Sequence, residues 1–283
     1  MIFPDKPQDP DAVANHYNEL DRFYREIWGE HVHHGYWKDG RESPQQAVEE
    51  LIHLLAHRLG LKEGMNICDI GCGYGATSKF LSENYGARAT GLTLSQVQRD
   101  RALEGLDGKL NVDILCADWL ENAFPSAKFD AEFSIESTEH MADKQKFFDE
   151  AFRTLRNGGR LGVYAWLARP NPRKWEVDYL LEPICREGRL AGMGSAEEYR
   201  EFARRSGFEI ESFEDLSKQV RKTWRLCAQR FLAKLCVDRS YARYVFDRSR
   251  RERIFALTVF RILLAYRLGT MRYGLLIARK PRQ

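Results

Sequence analysis

Three glycines at alternate positions follow an acidic residue in CDIGCGYGAT, residues 68–77, leaving the backbone bare at Gly71, Gly73 and Gly75. Glycine permits a tight turn and lets a ligand approach backbone N–H groups. Farther along, SIESTEHM (134–141) sets Glu139 beside His140. A histidine, with an unperturbed pKa of roughly 6.5, can take a proton from a hydroxyl, an amine or a carbon acid, and an adjacent carboxylate can orient a substrate or stabilise the imidazolium. The plainer alternative is that His140 caps a turn while Glu139 pairs outward. HVHHGYW (31–37) brings three histidines into four residues, but no cysteine or paired carboxylate at metal spacing accompanies them, so no metal site is expected. His53 and His57 stand at i and i+4 without an HExxH pattern and read as a solvated helix face.

These residues need elements to hold them. Segments 11–31 and 43–61 carry apolar residues at helical spacing, the second opening on Ser-Pro and closing at Gly60. Strand and helix patterns then alternate: MNICDI, ATSKFLSENYG, ARATGLT, SQVQRDRALEG, NVDILCA, FDAEFSI, DKQKFFDEAFRTLRNGG, RLGVYAW. Such alternation predicts an α/β fold, a doubly wound, mostly parallel sheet covered on both faces. A further helix, SAEEYREFARRSGF, leads to a strand over 208–216, and a last strand runs through MRYGLLIARKP (271–281). The expected organisation is an N-terminal helical part of a lid (1–62), a Rossmann-like core (63–216), a helical cap insertion (217–269) and the last core strand (270–283).

Composition excludes several classes. With 283 residues, 43% hydrophobic, the chain can bury one large core, and 44 basic against 41 acidic residues give a net charge of +3, too balanced to imply a nucleic-acid partner. The polar, proline-containing start does not resemble a signal peptide, so a cytoplasmic location is expected. The six cysteines form no CxxC pair and read as reduced thiols. The most apolar run, 254–268, is shorter than a bilayer span and holds Arg261.

A strand ending in Asp69, then glycines, then a helix makes a ligand crevice at the carboxyl ends of the strands. GCGYGA fits both the G-x-G-x-G of S-adenosylmethionine-dependent methyltransferases and a G-x-G-x-x-A dinucleotide pattern. The dinucleotide reading wants an acid at the end of the second strand for the ribose, and TGLTLS has none. An acid directly before the glycines would repel a pyrophosphate but suits the ammonium of a methionine moiety. At the end of the third strand, CADW, Asp118 could accept from an adenine amino group.

Together, HVHHGYW, DIGCGYG (69–75), GLTLSQVQ (91–98), SIESTEHM and the terminal YGLLIARKP resemble the class I methyltransferases, within them the group of tocopherol and sterol C-methyltransferases and cyclopropane fatty acid synthases. The resemblance covers nearly the whole chain and implies a seven-stranded sheet and S-adenosyl-L-methionine as cofactor. It implies that Thr93, Leu94 and Gln98 contact the adenosyl moiety, that Asp118 and the backbone of Trp119 hold adenine, and that Glu136 lies beside the methionine portion. It also makes Tyr17 a candidate for the methionine carboxylate and gives HVHHGYW a cofactor-lid or substrate contact.

The segment from Ser217 to Gly269 mixes arginines with aromatic and aliphatic residues. Basic plus aromatic is also a nucleic-acid signature. An amphipathic cap over an apolar acceptor, touching anionic lipid, accounts better for its aliphatic content. The expected activity is methyl transfer from adenosylmethionine to a small, largely apolar acceptor, a prenylated phenol or other lipophilic natural product. A nucleic-acid methyltransferase and a non-catalytic cofactor-binding module are the rivals.

Overall fold

Local chemistry sets the first two helices. Asp9 accepts from Ala12 N and caps α1 (Pro10–Ile27), while Ser43 and Gln46 form a reciprocal capping box on α2 (Pro44–Leu59), which stops at Gly60 in the left-handed region. The structure, a computed structural model, describes residues 1–29, 31–104, 106, 110–247 and 255–282.

The alternating part follows as β1 (Asn66–Ile70), α3 (Ala76–Tyr85), β2 (Arg88–Thr93), α4 (Gln96–Glu104), β3 (Val112–Cys116), β4 (Phe129–Ile135), α5 (Lys144–Thr154) and β5 (Leu155–Ala168). A helical stretch that the sequence pattern did not announce comes next, α6 (Lys174–Glu176), a π turn (Val177–Leu181) and α7 (Glu182–Glu187). Pro183 has no N–H for the ladder, and the widened turn sits directly before it. Then come α8 (Ala196–Arg205), β6 (Glu209–Asp215), four helices α9 (Ser217–Val220), α10 (Lys222–Val237), α11 (Arg239–Phe246) and α12 (Phe255–Leu268), and β7 (Met271–Arg279).

The strands form one sheet in the order β3-β2-β1-β4-β5-β7-β6, in which only β7 runs antiparallel to its neighbours. β5 begins five residues earlier than the RLGVYAW run suggests: Leu155 already pairs with Phe129, and a register shift takes up the Asn-Gly-Gly before Arg160 meets Ala131. The order reverses between β1 and β4, and there the crevice opens.

Two buried clusters cover the sheet faces. One gathers Phe147, Phe148 and Tyr199 from α5 and α8; the other joins Ile27 and Leu51 from α1 and α2 to Tyr164 and Tyr273 of the sheet. Trp224 and Phe231 of α10 and Val259 and Ile262 of α12 belong to that second cluster. The helices between β6 and β7 are therefore part of the core packing. Among the described residues no helix is long and apolar enough to cross a membrane, and all six cysteines are free thiols.

Glu132 of β4 is fully buried. Thr154 Oγ1 donates to its Oε1 at 2.6 Å, while Oε2 finds no partner among the described residues, and burial pushes its pKa well up. An acid whose folded pKa is raised contributes stability at low pH that is lost as pH climbs past the unfolded value, roughly 4.3. Glu132→Gln should accordingly raise Tm by a few degrees, and the gap over the parent should widen between pH 5 and pH 8. Scanning calorimetry across that range checks this, and a gap that shrinks with pH would contradict the buried-acid account.

Candidate functional site

The three glycines serve three physical needs. Gly71 (φ +82°) lies so close to the turn after β4 that a Cβ would stand 2.3 Å from Ser137 Cβ. Ser137 Oγ in turn donates to Ile70 O at 2.6 Å, clamping the β1 and β4 ends together. Gly75 faces Ile114 and Ala102, where a Cβ would meet side chains at 3.1 and 3.3 Å. Only Gly73 (φ +54°) faces open space: the nearest atom to a Cβ there is Gln98 Nε2, at 3.9 Å. A side chain at Gly73 alone would thus enter open space, while the Gly71 backbone also borders it.

That space is a cleft open at its mouth. Gly71 and Gly73, Thr93, Leu94 and Gln98, Asp118 and Trp119, and Tyr17, Glu136 and His140 all line it. The GLTLS turn is held by its own side chains: Thr93 Oγ1 donates to Gln98 Oε1 at 2.8 Å, and Ser95 Oγ donates to Asn18 Oδ1 of α1 at 2.6 Å. Asp118 Oδ1 accepts from Leu120 N at 2.9 Å, capping a short turn, and the Trp119 indole is buried, donating to Phe147 O at 3.3 Å.

Asp69 stands behind the glycine loop in an adjoining recess with His31, His33 and Thr77. Ser78 Oγ donates to it at 2.7 Å, but burial outweighs that bond and raises its pKa to about 7. His31 Nδ1 has no partner among the described residues, and burial first, then His33, lowers its pKa to about 3. A buried acid backed by Ser78 and a buried ring nitrogen beside it fit the ammonium and carboxylate end of an amino acid, and the Gly73 cradle fits a nucleoside, so this donor set suits adenosylmethionine.

The Tyr17 hydroxyl lies 2.9 Å from His140 Nε2. His140 Nδ1 lies 2.9 Å from Arg189 O. Burial lowers the His140 pKa to about 4 and raises that of Tyr17. Glu139 accepts from the Trp166 backbone N, and burial raises its pKa to about 7. Lys144, itself buried, donates to the carbonyls of Thr138 and Met141 at 3.0 and 2.8 Å and fixes this turn from below.

Glu136 borders the cleft from the turn after β4. It has φ +55°, and its carboxylate is taken up by the protein: Oε1 accepts from His34 N and Tyr273 Oη, both at 2.8 Å, and Oε2 from Trp166 Nε1 at 2.8 Å. His34 Nδ1 approaches Oε1 to 2.9 Å in a geometry too bent for a full hydrogen bond, while its Nε2 accepts from Trp224 Nε1 at 2.7 Å. Burial would raise the Glu136 carboxyl; the His34 ring first, then His33 and the His34 backbone N–H, outweigh it and hold the pKa down at about 2. The HVHH run is therefore split, with His31 and His33 at the cofactor recess and His34 in this joint. Among the described residues no three metal-ligating side chains converge.

Beyond Tyr17 and His140 the cleft meets an inner recess lined by Tyr24, Trp28, Trp166, Trp224, Glu139 and Leu190. No sequence pattern announced it. Its walls come from α1, β5, α10 and the end of α7, and each aromatic residue by itself reads as core.

Residues 5–248 match the family described as mycolic acid cyclopropane synthetase. The chain is 34% identical over 227 residues to 27-O-demethylrifamycin SV methyltransferase of Amycolatopsis mediterranei, spanning 78% of this chain and 82% of that one. The [4+2]-cyclase SpnF shares 28% identity and a TM-score of 0.78 with all of both chains covered. Mycolic acid cyclopropane synthase CmaA1, solved with SAH and CTAB, superposes with a TM-score of 0.85 over 97% of this chain and 99% of that one, a likeness of fold at 23% identity. With a glycine cradle, a buried acid behind it and a family match over most of its length, the chain belongs to the mycolic acid cyclopropane synthetase family and is an S-adenosyl-L-methionine-dependent methyltransferase.

Proposed function

We propose that the acceptor is a small, uncharged, lipophilic molecule, a prenylated phenol or other lipophilic natural product, whose reacting atom enters the aromatic recess beside His140. The observation that carries this reading is the meeting of two unlike cavities at Tyr17, Val32, Glu136 and His140. One is bordered by the glycine loop and the GLTLS turn; the other has five aromatic side chains and, among the described residues, no lysine or arginine to hold an anion.

Bound adenosylmethionine supplies a methyl group already activated on a sulfonium. In this reading Gly71, Gly73 and Gly75 shape the cradle, Thr93, Leu94 and Gln98 border the adenosyl group, and Asp118 with the Trp119 backbone holds adenine. Asp69 faces the ammonium. Glu136 sets the wall between the two ligands through its backbone, His140 is the base on which the released proton ends, and Glu139, which lines only the recess, orients the acceptor. Rate comes mainly from positioning in a dry site. Incubation of the protein with labelled adenosylmethionine and an organic extract of the source cells should yield a labelled lipophilic product. Tight cofactor binding without transfer to any component would overturn this and align the chain with the cyclase.

The protein is proposed to act in the cytoplasm against the lipid that dissolves such an acceptor. Trp175 and Tyr179 on one helix and Phe260, Leu264 and Leu268 on its neighbour α12 are exposed, with Arg173, Lys174 and Arg267 beside them. Replacing Trp175, Tyr179 and Leu268 together by serine should abolish sedimentation with phosphatidylglycerol vesicles; undiminished sedimentation would reject this face.

Gly73→Val should abolish the rise in Tm that adenosylhomocysteine gives the parent, because a branched side chain fills the cradle and forces φ +54° on a residue that avoids it. A full thermal shift in the variant would reject the assignment. Because Asp69 titrates at about 7, an ammonium beside it binds best to the ionised form. Affinity for adenosylhomocysteine should therefore tighten as pH rises from 6 to 8, by up to about tenfold per unit below the pKa, and Asp69→Asn should flatten the dependence when followed by calorimetry.

A further inference from the structure

We propose that Tyr17 receives the acceptor's proton and passes its own to His140, so that the two side chains act as one relay. The inference rests on the methyl-transfer reading above and adds the residue that touches the acceptor.

Hydrogen-bond roles in this pair are fixed by one carbonyl. Arg189 O can only accept, so the His140 nitrogen 2.9 Å from it, Nδ1, carries the proton and Nε2 keeps its lone pair. The Tyr17 hydroxyl, 2.9 Å from Nε2, must then donate, which leaves its own oxygen lone pairs for an incoming X–H. Both residues line the cofactor cleft and the inner recess, where the methyl must cross. The Tyr17 and His140 rings meet edge-on at 5.5 Å, and Tyr24 packs against Tyr17 at 5.2 Å, so the phenol has little freedom to swing away.

The atoms balance. As acceptor atom X bonds the methyl carbon, the S–CH3 bond breaks and its electron pair stays on sulfur. X–H gives its proton to the Tyr17 oxygen while the Tyr17 proton moves to His140 Nε2. The phenol ends neutral, and the imidazolium keeps its Nδ1–H on the Arg189 carbonyl until the site opens to water.

The groups facing the pair are His16 from α1, Glu136 and Glu139 from the turn after β4, and Lys144 from α5. Burial dominates over all of them, holding the phenol protonated and the imidazole unprotonated through the neutral range. A weak base suffices, because a hydroxyl, amine or ring carbon that has just gained a methyl cation is itself a strong acid. The base also stays available in mild acid, where a histidine with an unperturbed pKa of roughly 6.5 would be lost.

The test compares Tyr17→Phe, His140→Ala and the double variant with the parent, using a geranyl-substituted hydroquinone as acceptor. Each single change should lower kcat on the order of 10²-fold with adenosylhomocysteine affinity unchanged, and the double should be no worse than either single, as expected of residues that act as a unit. Losses that multiply in the double variant overturn the relay. So does a Tyr17→Phe protein that keeps kcat and loses cofactor affinity, which would make Tyr17 a carboxylate ligand. Nitrogen-15 NMR of the ligand-free protein gives a reading independent of turnover: the His140 Nδ1–H tautomer is expected, with the Nε2 resonance moving in Tyr17→Phe. A proton on Nε2 overturns the relay even if the functional reading stands, and a parent that transfers no methyl group overturns the functional reading while the tautomer still decides the relay's geometry.

Discussion

A buried carboxylate at the end of β4 holds the site together. Glu136 ends the central strand with its backbone N on Tyr164 O, then turns the chain through φ +55°, a region non-glycine residues seldom occupy. Its side chain meets that local cost by accepting from His34, Tyr273 and Trp166. Those partners lie on the segment before α2, on β7 and on β5, and His34 reaches on to Trp224 of α10 and Tyr266 of α12. A charge buried in a low-dielectric interior is tolerable only when its lone pairs are filled, so this arrangement ties five separate stretches of chain to one point.

From that point the two cavities acquire their different characters. The cofactor side is built from turns whose polar side chains satisfy one another, as Thr93 does with Gln98, so the backbone can face a ligand without reorganising. The acceptor side is built from rings contributed by distant elements and carries no cation. Between them burial has moved several groups toward their neutral forms, Asp69 and Glu139 upward and His140 and Lys144 downward, while Glu136 is held ionised. This setting favours a cationic donor and an uncharged acceptor.

The helices between β6 and β7 are as much core as cover. Trp224 is almost fully buried against Trp28 and Trp166, with ring centroids 5.1 and 5.5 Å apart, and Tyr266 closes on the same histidine. Substrate selection and fold stability consequently draw on the same residues, and α10 cannot drift on its own without uncovering the main hydrophobic cluster.

The alternation of strands and helices from β1 to β5 and the crevice after β1 were legible in the sequence, because each rests on local rules: period, caps, and glycines required by a turn. The cofactor followed from Asp69 standing before the glycines and from the missing acid after β2. Three things were out of its reach. Gly71 and Gly75 are glycines for contact with Ser137 and Ile114, residues far away in the chain. Tyr17 and His140, 123 residues apart, become partners only when α1 folds over the turn after β4. The aromatic recess exists in no segment at all, since Tyr24, Trp28, Trp166 and Trp224 each look like an ordinary core residue until four elements converge. Local chemistry fixes what a stretch of chain can form, whereas which side chains share a cavity, and what protonation state they keep there, depends on burial and distance that only the assembled sheet and helices supply.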